Sequence, residues 1–209
     1  MKPRKLNSDE RLAKSILESF DLQVIPIPES TEPNVKTPDF ELYWKSENTF
    51  LYCEQKTLAG AYFDVGQKTA TALNRLSQEI DCIANQLDYS NRVRSFPNIA
   101  FWVFTDPMMD MSQVMEFYQQ GTFVDGSKVH EFDHKYYPQQ RSLNLQKIDL
   151  HVGAWRDYKR KEDLSFFLSS KSMKFIHQLR EIFSLQDHIR GYATHDEQIL
   201  KVPNPNEPN

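Results

Sequence analysis

Near the start of the chain apolar positions recur at helical spacing. In "NSDERLAKSILESF" Leu12, Ile16, Leu17 and Phe20 fall on one stripe, Asn7 and Ser8 precede it as N-cap candidates, and Asp9 and Glu10 fill the first turn. This spacing predicts a helix of about three turns. "LQVIPI" is a short strand-like run, and the proline-rich "PIPESTEPNVKTP" behind it reads as a loop, since proline cannot donate to a ladder. Two β-prone runs, "FELYW" and "TFLYCEQKT", flank the polar "KSEN" and predict a hairpin.

Helical periodicity then returns. In "QKTATALNRLSQEIDCIANQLDYSN" Ala70, Leu73, Leu76, Ile80, Ile83, Ala84 and Leu87 form one stripe without Gly or Pro, which predicts the longest amphipathic helix. "NIAFWVFTD" is apolar on both faces and reads as a buried central strand. Farther on, "DMSQVMEFYQQG" predicts a helix stopped by Gly121, "TFVDGSKVHEF" a hairpin about Asp125-Gly126, and "KIDLHVGAW" another strand. Residues from about 162 to 190 read as helical, and "KVPNPNEPN" as a tail without a reason to fold.

The chain has 209 residues, long enough for one sizeable core. The expected organisation is one domain over 1–200, with a core at about 8–105, a C-terminal α+β extension at about 106–200 and a disordered tail at 201–209. Hydrophobic residues make up 39% and charged residues 26%, which excludes a disordered chain. A net charge of -4 argues against indiscriminate attraction to nucleic acid, so such binding would need a local basic surface. Cys53 and Cys82 form no CxxC pair and read as buried free thiols of a reducing compartment. The basic "MKPRKLNSDE" lacks an apolar run after it, and no segment approaches the ~18 apolar residues of a membrane span. The expectation is a cytoplasmic protein without membrane contact.

The hairpin carries the chemistry. With "KSEN" as its turn, residues whose numbers sum alike face each other: Trp44 and Thr49, Tyr43 and Phe50, Glu41 and Tyr52, Asp39 and Glu54. Lys56 lies two residues beyond Glu54 and so on the same face. Two carboxylates and an ammonium thus converge at the open end of a hairpin. Crowded carboxylates repel, and a hard cation such as Mg²⁺, which prefers oxygen ligands and keeps waters, relieves the repulsion while leaving room for a phosphate oxygen. Lys56 would add positive charge for the reacting phosphate and could position or deprotonate water. The backbone carbonyl of Gln55 between them is a further candidate ligand.

Pro38-Asp39 followed by Glu54-x-Lys56 on the next strand resembles the PD-(D/E)xK nuclease superfamily, whose restriction-endonuclease-like core runs helix, three antiparallel strands, helix, strand. The resemblance implies an α/β fold with that core and a Mg²⁺-dependent nuclease, with Mn²⁺ as an alternative metal, hydrolysing phosphodiesters in DNA or, less often, RNA. Carried over by position, Asp39 and Glu54 are expected metal ligands and Lys56 the catalytic lysine. Members often add a glutamate from the first helix, for which Glu18 is preferred here over Glu10, and a polar residue from the second, for which Gln78 and Gln86 are candidates. Cutting both strands of a duplex would favour a homodimer.

The motif is short, and the plain alternative is a surface hairpin with a Glu54–Lys56 ion pair. "HEFDH", residues 130–134, matches the HExxH zinc pattern, but the Asp125-Gly126 turn and Pro138 speak against the helix that pattern needs. In "RDYKRK" Arg156 and Lys159 could grip phosphates or merely solvate a turn. Lys68, beside the glycine-containing "LAGAYFDVGQK", is a candidate substrate contact. A nuclease-like fold used only for nucleic-acid binding or protein interaction is the alternative function.

Overall fold

The computed structural model describes residues 4–32, 36–44, 49–58, 63–64, 67–68, 70–93, 95–105, 110–115, 120–125, 128–133, 146–157, 164–169 and 174–185. The first element is helix α1 (Ser8–Glu18), whose start is fixed by a capping box. Asn7 accepts from the backbone N–H groups of Asp9 and Glu10, and the Glu10 side chain accepts from the Asn7 N–H. Such a cap stabilises a helix by about 1 kcal/mol. After α1, Asp21 adopts a left-handed conformation (φ 58°), which aspartate tolerates better than most side chains, and the chain turns into β1 (Leu22–Pro26).

The expected hairpin forms as β2 (Phe40–Trp44) and β3 (Thr49–Leu58), with Trp44 opposite Thr49, Tyr43 opposite Phe50 and Glu41 opposite Tyr52. β1 pairs antiparallel with β2 on its other side. A two-stranded ribbon, β4 (Phe63–Asp64) and β5 (Gln67–Lys68), precedes the long helix α2 (Ala70–Ser90). β6 (Asn98–Phe104) then pairs parallel to β3. All seven of its residues are buried, as expected of a strand covered on both faces.

The C-terminal half continues the same sheet. Helix α3 (Met111–Met115) is followed by the hairpin β7 (Gln120–Asp125) and β8 (Lys128–Asp133), then β9 (Leu150–Trp155), β10 (Ser165–Ser169) and helix α4 (Ile176–Ile182). The order is β1-β2-β3-β6-β9-β10-β7-β8, mixed parallel and antiparallel, so the fold is mixed α/β. Alternation along β6 and β9 divides the core into two layers. Ile99, Phe101, Val103, Leu150 and Val152 pack with Ala13, Ile16 and Leu17 of α1 and Leu179 of α4. On the opposite face Ala100, Trp102 and Phe104 pack with Ile80, Ile83 and Leu87 of α2 and Val114 of α3.

Two expectations require correction. Residues 162–190 are not one helix: 165–169 form a strand between β9 and β7, and among the described residues of this stretch helix is confined to Ile176–Ile182. Phe166 and Leu168 enter one core layer and Phe167 the other, and a short run apolar on both faces carries no periodicity that separates strand from helix. Gly121 does not stop α3; it lies within β7 opposite Phe132. As the Asp125-Gly126 turn led one to expect, residues 130–133 of the HExxH match lie on β8 rather than on a helix. The tail at 201–209 lies outside the described residues. No helix among those described is long and apolar enough to cross a membrane.

His151 on β9 is fully buried, and its Nδ1 accepts from the Trp102 indole N–H at 2.9 Å. The ring is therefore neutral with its proton on Nε2. Burial pushes its pKa down to about 3. Between about pH 6.5, where the unfolded histidine titrates, and about pH 3 the unfolded chain binds a proton that the native one refuses. This contribution is complete above the unfolded pKa and falls away by up to about 1.4 kcal/mol per pH unit as acid is added. His151→Gln keeps an acceptor for Trp102, so chemical denaturation across pH 3.5 to about 7 should give a distinctly flatter acid limb than wild type; an unchanged slope would remove His151 as its source.

Candidate active site

β3 extends well past β2. Their ladder ends at Phe40 opposite Cys53, whereas β3 continues beside β6 to Leu58 opposite Phe104. Even-numbered β3 residues bond toward β6, as in Tyr52 N–H to Pro97 O and Thr105 N–H to Leu58 O. A strand residue presents its N–H and C=O on the same edge, so Gln55 turns both toward the notch where β2 has ended. Its N–H donates to Asp39 Oδ2 at 2.8 Å.

Asp39 is held from three directions. Pro38 precedes it, its carbonyl accepts from Ile27 N–H at 2.9 Å, and its own N–H donates to Glu54 Oε2 at 3.1 Å. The two carboxylates thus meet across the hairpin, and both are buried. Lys56 Nζ donates to Glu54 Oε1 at 2.7 Å, completing the expected trio on the α2 side of the sheet. A cleft of about 500 Å³ opens over them, also bordered by Arg4, Glu10, Lys36, Thr57 and Gln86.

Glu54 is only 1% exposed, and burial first and the charge of Asp39 second push its pKa up to about 7. Burial alone would weaken the Lys56 ammonium, but the Glu54 charge and hydrogen bond outweigh it, and the pKa stands above that of an ordinary lysine. Lys56 is therefore a standing positive charge rather than a base near neutrality.

Arg4 was not anticipated. Its Nη2 donates to Glu10 Oε1 and to Asp39 Oδ1, the latter at 2.6 Å. Among the described residues no three His, Cys, Asp or Glu side chains form a ready-made cation cage. The donor chemistry nevertheless fits Mg²⁺, which takes oxygen ligands, keeps several waters and is held by one or two carboxylates. Asp39, Glu54 and the Gln55 carbonyl offer such oxygens at a cleft, and the raised pKa of Glu54 reports burial first and the Asp39 charge second, both of which a bound cation would offset.

The remaining candidates divide. Gln86 is buried at the cleft, donating to Thr37 O at 3.2 Å and accepting from Cys82 Sγ at 3.1 Å, whereas Gln78 is exposed. Glu18 is not brought to the site. It pairs with Lys14, while Glu10 lines the cleft. The reason is direction: Leu22 pairs with Trp44 and Pro26 with Phe40, so Asp39 lies at the far end of β1. A helix running back along that strand brings its N-terminus to that end. The Asn7-x-x-Glu10 capping box marks the helix start in the sequence, but which helix end reaches the cleft follows from the direction of α1 along β1.

Arg156, at the end of β9, is exposed and bonds Asp9 through Nη2 at 2.7 Å and Nε at 3.1 Å. Asp9 also accepts from Thr57 Oγ1 at 2.6 Å, so Arg156 is linked to the cleft through one intervening side chain. The backbone of Lys68 lies on β5, and Lys159 lies outside the described residues. Cys53 is buried and free; Cys82 is only partly buried. Comparison of the chain with protein-family models, curated proteins and solved structures finds no match. The site is thus defined by its own geometry.

Removing the Asp39 charge should release part of the pressure on Glu54. In the metal-free protein, the Glu54 carboxyl followed by carbon-13 NMR should titrate near 7 in wild type and lower in Asp39→Asn. A midpoint that does not fall would mean that Asp39 exerts no charge on Glu54.

Proposed function

We propose that this protein is a metal-dependent nuclease with a restriction-endonuclease-like core, hydrolysing phosphodiester bonds, with DNA as the favoured substrate. The observation that carries this reading is the buried Asp39–Glu54 pair at the open end of the β2–β3 hairpin, with Lys56 on the same face and a cleft above them. The order α1, three antiparallel strands, α2, then β6 parallel to β3 also supports it.

A bound Mg²⁺ or Mn²⁺ would supply Lewis-acid stabilisation of charge on the phosphate and an activated water. Asp39, Glu54 and the Gln55 carbonyl are the groups that would hold it. Lys56 stays protonated and stabilises negative charge that builds on the phosphate oxygens. Lys36 and Lys56 line the cleft among the acidic Glu10, Glu29, Asp39 and Glu54, so a phosphate backbone would be met there by individual lysines and by the bound cation rather than by a continuous basic surface.

A second reading, a nuclease-like fold used for nucleic-acid binding or protein interaction alone, is favoured by one observation: Arg4 already occupies Asp39. Cleavage assays separate the two. Circular and linear DNA, single-stranded DNA and RNA should be tested with Mg²⁺, Mn²⁺ or EDTA. At least one should be cut only with metal, and Asp39→Ala and Lys56→Ala, confirmed as folded, should each lose on the order of 10²-fold or more. Cleavage indifferent to both substitutions would reject the site; tight binding without cutting would favour the second reading.

A further inference from the structure

We propose that Arg4 is a built-in counter-cation of this site, held between Glu10 and Asp39 in the metal-free protein and exchanged for the divalent cation when that binds. The inference rests on the nuclease reading and adds a competitor for the metal from the chain itself.

The argument begins with the oxygens of Asp39. Oδ2 is taken by the Gln55 N–H, which locks the carboxylate across the notch. Oδ1 is the oxygen left to face a cation, and Arg4 Nη2 holds it at 2.6 Å. The same nitrogen donates to Glu10, while Nη1 lies 3.4 Å from the Ile27 carbonyl. This guanidinium is well enclosed, its side chain being 16% exposed. A metal at its usual ~2.0–2.1 Å from that oxygen would stand within a few ångströms of the guanidinium, with strong repulsion in so enclosed a place. The two cations cannot share Asp39 Oδ1.

Charge does not oppose the exchange. Glu10, Glu29, Asp39 and Glu54 line the cleft with Arg4, Lys36 and Lys56, so withdrawing Arg4 leaves more negative charge for a divalent cation to answer. Arg4 lies only four positions before the start of α1 and outside any helix or strand, so its withdrawal breaks no ladder.

Isothermal calorimetry with Mn²⁺ on the full chain tests this, comparing wild type, Arg4→Gln and Asp39→Asn at fixed ionic strength. Arg4→Gln should bind at least about tenfold more tightly than wild type, and Asp39→Asn should lose the binding. Unchanged or weaker binding by Arg4→Gln, with Asp39→Asn still losing it, would overturn the exchange while leaving the metal site standing. No Asp39-dependent binding in wild type or Arg4→Gln would remove both. Should Arg4→Gln fail to fold without metal, thermal melts of Arg4→Lys decide instead. That variant keeps a charge but not the forked donor, so its melting temperature should climb more steeply with Mn²⁺ than that of wild type; parallel curves would overturn the exchange.

Discussion

The candidate site follows from a mismatch in strand length. β3 runs ten residues and β2 only five, so beyond Cys53 one edge of a buried strand has lost its ladder. Buried backbone groups must still be satisfied, and a side chain that does so from the end of the shorter strand is fixed in place by the fold itself. Asp39 is that side chain, accepting from Gln55 N–H while its own N–H donates to Glu54. Those two hydrogen bonds bring the carboxylates together, and the alternation of β3 adds Lys56. The arrangement needs no distant loop to assemble it.

Crowding acidic groups in this way is costly, and the surrounding charges show how the metal-free protein meets the cost. Lys56 answers Glu54, Arg4 answers Asp39 and Glu10, and Arg156 answers Asp9. One conflict is left standing: Glu54, buried beside Asp39, holds its proton to about neutral pH. A divalent cation held between these carboxylates would offset that repulsion and favour the ionised form of Glu54.

Much of this was legible because a hairpin register is arithmetic. Once "KSEN" is read as the turn, the facing residues follow, and the observed pairs are those that sum rule gives. α1, α2 and β6 were legible for a similar reason, each having an apolar pattern long enough to carry its own period. What escaped depended on relations between elements. Glu10 rather than Glu18 reaches the cleft because of the direction in which α1 runs along β1. Arg4 sits in a basic opening segment with no pattern, and its role appears only once Glu10 and Asp39 are in space. β10 is a strand because β9 and β7 flank it, a fact absent from "LSFFLSS".

The C-terminal half then has a physical part in the site. Row by row across the sheet, Glu54 stands beside Ala100, Ala100 beside His151, and His151 beside Phe167. The row passes from a titrating carboxylate through a small apolar residue to a histidine kept neutral by burial and by the Trp102 N–H. A charged imidazolium there would pull on the Glu54 charge through a low-dielectric core and depress the pKa that the site raises. His151, neutral through burial, places no such charge in the row. The two halves are therefore joined through one shared sheet, whose rows run from Glu54 into the C-terminal strands.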